Sequence, residues 1–265
     1  MIKEKVINSI SELFEAAFPE DIYDMKNRKL KKAFIFRGEP HNSNALRTSF
    51  DRNFGMRYEI EERLLINFHK YGQFIEGKLS NASIWERVVY AQHHGVPTRL
   101  LDWTFSPLVA LHFAIGNEYD NCDDSVVWAL KIADLISILP KQYFKSLNDS
   151  KGTIFTLELL QDLAKDFKTY DEHMQDSSFI ILEPPSVDER IINQYALFAV
   201  IPRGIISLEN FIIQSEKIEA YKFIIPSKAK WELRCILDRI NINERVLFPG
   251  LDGLAQWLKR YYNFY

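Results

Sequence analysis

Between Gln92 and Ser106 the chain reads QHHGVPTRLLDWTFS, and it turns apolar at once in PLVALHFA. Two adjacent histidines, an arginine, an aspartate, a tryptophan, two threonines and a serine thus crowd one short stretch. Ser106-Pro107 has the arrangement of an N-cap followed by a proline in the first helical position. The cluster therefore reads as a loop between a helix that ends near Gly95 and one that opens at Pro107. Its last part faces a helix N-terminus, where unpaired N–H groups favour an anion. Asp102, flanked by Leu101 and Trp103, is partly desolvated unless paired, so it serves either a site or a structural bridge to an arginine. Arg99 after Thr98 faces a cleft or makes that bridge. His93 and His94 read first as helix-end residues; His94, beside Gly95, is the better donor or acceptor for a ligand. Gln92 reads as a polar residue of the core.

Metal chemistry is not expected. Adjacent histidines on a helix point about 100° apart, and neither HExxH nor CxxC spacing occurs. Cys122 and Cys235 stand far apart without a secretion signal, which argues against a structural disulfide.

The elements that must position these groups follow from periodicity. Val6, Ile7, Ile10, Leu13, Phe14 and Phe18 keep helical spacing over residues 3–18. The run AFIFRGE, 33–39, is a strand that leaves Arg37 at its end beside Gly38. Helices are expected over 57–75 and 82–92, from Pro107, and over 154–168. The runs 125–132, 178–185, 195–202 and 220–226 are β-branched and aromatic and are cut off by Pro or Gly, as strands are. A helix follows with Ser227 as N-cap, and a last one opens at Asp252. Helices first and strands later favour an α+β fold, with N-terminal helices packed on a mixed, mainly antiparallel sheet and further helices at the C-terminus. One domain over 1–265 is expected, residues 1–30 being a helical lead-in and 31–265 the core.

The blocks FIFRGE (34–39), AQHHGVPTRLLDWTFSPLVALHFA (91–114), SVVWAL (125–130), ERIINQYALFAV (189–200) and LFPGLDGLAQWLK (247–259) resemble, in order, those of the FRG-domain family, named for a Phe-Arg-Gly motif, here Phe36-Arg37-Gly38. The order of aromatic-Arg-Gly at a strand end, a Thr/Ser turn before a helix and a later strand with a polar residue is similar, at motif level, to ADP-ribosyltransferase folds. That second resemblance implies NAD as substrate and an unidentified protein or nucleic-acid acceptor. It implies a bacterial or phage toxin or defence effector, with an antitoxin as a possible partner. Arg37, Asp102 and Gln194 would then be the catalytic set, and Gly38, His94, Thr98, Arg99, Trp103, Thr104, Ser106 and Arg190 would bind NAD. Arg37 would grip a pyrophosphate or ribose oxygen, its planar fork matching such oxygens, unless it pairs with an acid such as Asp102. Thr104 and Ser106 would stand at the Ser-Thr-Ser turn, although Ser106 is equally an N-cap. At the third strand the transferases present a glutamate where this chain has Gln194, with Glu189 and Glu183 nearby. A neutral amide stabilises a cation far less, so Asp102 or Glu189 would supply the charge, or the domain binds a nucleotide or nucleic acid without turnover. Arg190 and Gln194 also read as a polar bridge tying the strand to the central loop.

With 47% hydrophobic residues, nineteen Phe and twelve Tyr among 265 residues, the chain can bury a large core. Its formal net charge of -3 gives no whole-molecule attraction to phosphate backbones, which disfavours an RNA-cleaving toxin built on His94 and Arg99. The basic run Lys26 to Lys32 reads as a solvated turn. No stretch approaches the ~20 apolar residues of a membrane span, so a cytoplasmic protein without membrane contact is expected.

Overall fold

The computed structural model describes residues 1–18, 23–24, 29–30, 34–42, 46–76, 82–116, 123–185 and 189–262. The chain opens with strand β1 (Ile2–Val6) and helix α1 (Ile10–Ala17), followed by a small ribbon of β2 (Tyr23–Asp24) and β3 (Lys29–Leu30). Next come β4 (Phe34–Glu39) and three helices, α2 (Ser49–Phe54), α3 (Glu59–Glu76) and α4 (Ile84–His93). Strand β5 (Leu100–Thr104), helix α5 (Pro107–Ile115) and strand β6 (Ser125–Lys131) form the centre of the chain. Four helices follow: α6 (Ile132–Ser137), α7 (Lys141–Asp149), α8 (Leu157–Leu163) and α9 (Phe167–Met174). The remainder is β7 (Ile180–Leu182), α10 (Glu189–Asn193), β8 (Ala196–Val200), α11 (Leu208–Gln214), β9 (Ala220–Ile225), α12 (Ser227–Arg239), α13 (Glu244–Leu247) and α14 (Leu251–Tyr262).

Seven strands make one sheet in the order β1-β9-β6-β4-β5-β8-β7, antiparallel throughout except for β1 alongside β9. The expected α+β class with a mainly antiparallel sheet is what the chain adopts. On one face Phe36, Val127 and Phe223 pack against α5 and α12 through Ala110, Ala114 and Leu233. On the other, Ile35, Leu101, Trp103, Trp128 and Leu197 form a core with Leu208 and Ile212 of α11. A third core, around Trp85, Tyr143, Phe167 and Tyr170, joins α4, α7 and α9 to Leu100, Ile180 and Val200.

Four expectations are corrected. Residues 2–6 are a strand, not the start of a helix: they pair with Ala220–Ile224, and Ser9 caps α1 by accepting from the Glu12 N–H. Residues 100–104 are a strand, not a loop, because Leu101 and Trp103 alternate into one core while Asp102 points outward. The helix expected over 154–168 is two, α8 and α9, the second started afresh by the Asp166 cap. Ser227 is the first residue of α12 and not its cap; its N–H donates to Asp124 Oδ1 at 2.9 Å. The basic run 26–32, apart from β3, and Cys122 lie outside the described residues. Among the described residues no helix is long and apolar enough to cross a membrane.

Candidate functional site

Strands β4 and β5 are neighbours, yet their register is confined to the pair Phe36 and Thr104. By contrast β4 pairs with β6 along its whole length, and β5 does the same with β8. Past Phe36 the side chain of Arg37 replaces the missing ladder, its Nη1 donating to the Asp102 carbonyl at 2.6 Å. An arginine side chain thus takes the place of a ladder donor at an open part of the sheet. Glu39, two residues on and therefore on the same face of the strand, accepts from Arg37 Nε at 2.7 Å and fixes the guanidinium plane.

The opening beside this junction is a cleft of about 480 Å³. Its walls bring together Arg37 and Glu39 from β4, Arg52 from α2, Gln92 from α4, Asp102, Trp103 and Thr104 from β5, Phe113 from α5, and Arg190 and Gln194 around α10. Residues from 37 to 194 thus meet in one place. Three arginines face two carboxylates, and an anionic ligand suits that balance.

The Asp102 carboxylate is 61% exposed and points into water, so the expected desolvation by its Leu and Trp neighbours does not occur; their side chains turn to the other face. Gln92 Nε2 donates to both of its oxygens at 3.1 Å and orients it, and Arg37 Nη1 lies 3.7 Å from Oδ2. Gln92 is thus a residue of the cleft and not merely of the core. Its Oε1 accepts from Thr98 Oγ1 at 2.6 Å, which places Thr98 behind the wall in a supporting role. Thr104 Oγ1 donates to the Gln194 carbonyl at 2.7 Å and accepts from the Ser106 N–H at 3.0 Å. Ser106 caps α5 by accepting from the Val109 N–H, the role that competed with ligand contact. Trp103 is buried, and its indole Nε1 has no hydrogen-bond partner among the described residues.

Gly38 answers to packing. A methyl group there would sit 1.9 Å from the Ala110 carbonyl oxygen and 2.5 Å from the Ala114 nitrogen. Glycine therefore lets α5 lie directly on β4, and the backbone that approaches it is the helix's own.

Three expected site residues do other work. Arg99 pairs neither with Asp102 nor with the cleft; it is buried with Glu61, which takes two of its nitrogens, and with Asp171 at 2.8 Å. Those carboxylates hold its guanidinium charged against burial. His94 ends α4, its ring tilted against that of Tyr90 with centroids 4.5 Å apart, and does not line the cleft. Gln194 does line it, but its Nε2 donates to the Leu247 carbonyl at 2.8 Å, a tie to α13 and not to the central loop. Arg190 lines the cleft with its guanidinium 4.9 Å from the Phe248 ring centre.

Glu39, Arg52 and Phe113 are not among the expected site residues. Glu39 was legible as the residue two positions beyond Arg37 on one strand; Arg52 carried no signal, since only the fold brings α2 to the cleft. Among the described residues no three His, Cys, Asp or Glu side chains gather as a metal-ligand set.

No curated protein and no solved structure matches the chain. Residues 32–122 match the family model of the FRG domain, a stretch that contains the Phe36-Arg37-Gly38 strand, Gln92, Asp102 and all of α5. The match covers about a third of the chain, and twelve of the fifteen residues that line the cleft lie within it.

Proposed function

We propose that the cleft binds NAD and that the protein is an ADP-ribosyltransferase-like enzyme, a toxin or defence effector acting in the cytoplasm on a protein or nucleic-acid acceptor. The observation that carries this reading is convergence: Arg37, the Asp102–Thr104 strand end and the Arg190–Gln194 segment, which the resemblance to transferases links only by order, line one cleft. Its volume of about 480 Å³ suits a small ligand. Arg37, Arg52 and Arg190 supply cations for a diphosphate.

In the reaction the bond between ribose C1′ and the nicotinamide nitrogen breaks, and its electron pair leaves on nicotinamide. The acceptor then bonds to C1′ and gives up a proton. The carbon passes through a cationic state, which a nearby carboxylate stabilises. Gln194 cannot serve there as a neutral amide held by Leu247, so Asp102, oriented by Gln92, takes that part. Phe113 would wall the ring and limit water.

A second reading, a module that binds a nucleotide or nucleic acid without turnover, is favoured by one observation: the side chain at the third-strand position is a carboxamide engaged with a main-chain carbonyl. Thermal melting with NAD tests both. Ligand at 100 times its Kd adds about 2.7 kcal/mol to stability. A melting shift with nicotinamide released supports the enzyme, a shift without release supports the module, and no shift removes NAD from either reading.

A further inference from the structure

We infer that Tyr195, with Ile192 and Glu189, docks a protein acceptor at the mouth of the cleft; this rests on the NAD reading and names the class of its acceptor. Helix α10 and the turn after it are held from two sides. Asn193 Nδ2 and Gln194 Nε2 donate to the Val246 and Leu247 carbonyls of α13, each at 2.8 Å. From β5, Thr104 Oγ1 donates to the Gln194 carbonyl at 2.7 Å, and the Phe105 N–H donates to the Tyr195 carbonyl at 3.3 Å. In this fixed turn Tyr195 has a φ of +47°. The position just past a helix end that takes such a φ is usually filled by glycine or asparagine, since other side chains are strained there. The fold makes no use of the ring that is held this way: Tyr195 is 64% exposed, and neither its ring nor its hydroxyl has a partner among the described residues. A strained residue that the fold does not need points to a function.

The chain neighbours of Tyr195 set where that function lies. Gln194 and Ala196 line the cleft and Tyr195 between them does not, so its ring meets what approaches the mouth and not what lies inside. Its N–H donates to the Ile192 carbonyl at 3.1 Å, and Ile192 is 51% exposed. With a diphosphate on Arg37, Arg52 and Arg190, the charges left at the mouth are carboxylates. Asp102 is 61% exposed, and Glu189, on the first turn of α10, is exposed and has no partner among the described residues. Those acids repel the phosphates of a nucleic acid. A protein segment with a Lys or Arg beside an apolar side chain suits both the acids and the Tyr–Ile pair, and tyrosine is enriched where proteins meet. In the transfer a nucleophilic side chain of that protein bonds to ribose C1′. Nicotinamide leaves with the electron pair of the broken bond, and the proton of the nucleophile passes to water.

The test uses the full chain, NAD labelled in its adenylate phosphate, and cell extract as the source of acceptors. Label retained on macromolecules is divided by protease and by nuclease digestion, and it is expected in the protease-sensitive fraction. Tyr195→Ala should lower it about tenfold or more, the loss of an aromatic anchor. The melting shift given by NAD should stay at wild-type size, because Tyr195 is not on the cleft wall. Tyr195→Phe keeps the ring and should keep most of the labelling. Tyr195→Asn, suited to the left-handed backbone, should raise the urea midpoint and lose label as the alanine variant does. Four results overturn the inference and leave the NAD reading standing: a lowered midpoint in Tyr195→Asn, which would show that the ring packs into the fold; label in the nuclease-sensitive fraction; wild-type labelling by Tyr195→Ala; or nicotinamide released with no macromolecule labelled. A melting shift without release leaves a binding module with no acceptor and overturns it too. Neither shift nor release from wild type removes the NAD reading and the inference together.

Discussion

Arg37 and Asp102 are joined through the main chain: the guanidinium Nη1 of Arg37 donates to the Asp102 carbonyl at 2.6 Å, where β4 and β5 no longer pair. One side chain thus closes a gap in the sheet and holds a cation at the mouth of the cleft. Lysine has no fork and cannot serve both Glu39 and this carbonyl. Arg37→Lys should lower the unfolding free energy by about 1 kcal/mol in urea denaturation, the net worth of one hydrogen bond. Wild-type stability in that variant would mean the bond carries no structural load.

Gly38 is fixed by α5. Because the obstacle to a side chain is the backbone of Ala110 and Ala114, the neighbours cannot rotate away. Gly38→Ala should cost about 3 kcal/mol or more, seen as a lowered urea midpoint or loss of folded protein. A variant as stable as wild type would contradict the packing of α5 on β4.

Arg99 belongs to the fold. It holds two carboxylates, Glu61 and Asp171, in the interior, and burial pushes the Asp171 pKa up against the pull of Arg99. Arg99→Leu should cost about 3–5 kcal/mol, since it leaves buried acids unpaired. Adding Glu61→Gln should recover part of the loss, measured by the same denaturation.

His112 on α5 is buried and its Nδ1 lies 2.7 Å from Arg234 Nη1. An arginine only donates, so Nδ1 accepts and the ring is neutral. Burial first, and then Arg234, push its pKa down to about 3 from the model-peptide value of 6.5. Between those values the unfolded chain binds a proton that the folded chain refuses. Stability should therefore fall as pH drops from 6.5 towards 3, by at most about 1.4 kcal/mol per pH unit from this residue. In His112→Gln the loss between pH 6.5 and 4.5 should be smaller than in wild type; an equal loss would place the proton elsewhere.

Much of this was readable in the sequence where structure is local. Ser106-Pro107 announced α5, and the β-branched runs at 125–132 and 220–226 announced β6 and β9. What failed depended on distant partners. Ile2–Val6 reads as helix until Ala220–Ile224 pairs with it, and Arg99 shows nothing of Glu61 and Asp171 lying 38 and 72 residues away. Leu100–Thr104 was missed although Leu101, Asp102 and Trp103 already alternate as a strand does; the density of polar residues around them hid the period. Of the site, Arg37, Asp102, Thr104, Arg190 and Gln194 were legible as members of one cleft, while Arg52 and Phe113 came to it only through tertiary folding.

The most direct measurement is release of nicotinamide from NAD by purified wild-type protein and by Asp102→Asn, with cell extract supplying acceptors. Because the Asp102 carboxylate is 61% exposed, the variant should melt within about 0.5 kcal/mol of wild type. Release by wild type, reduced about 100-fold or more in Asp102→Asn, is the expected result. Absence of release from wild type, or equal release from the variant, would contradict the assignment of Asp102 to an NAD-cleaving site.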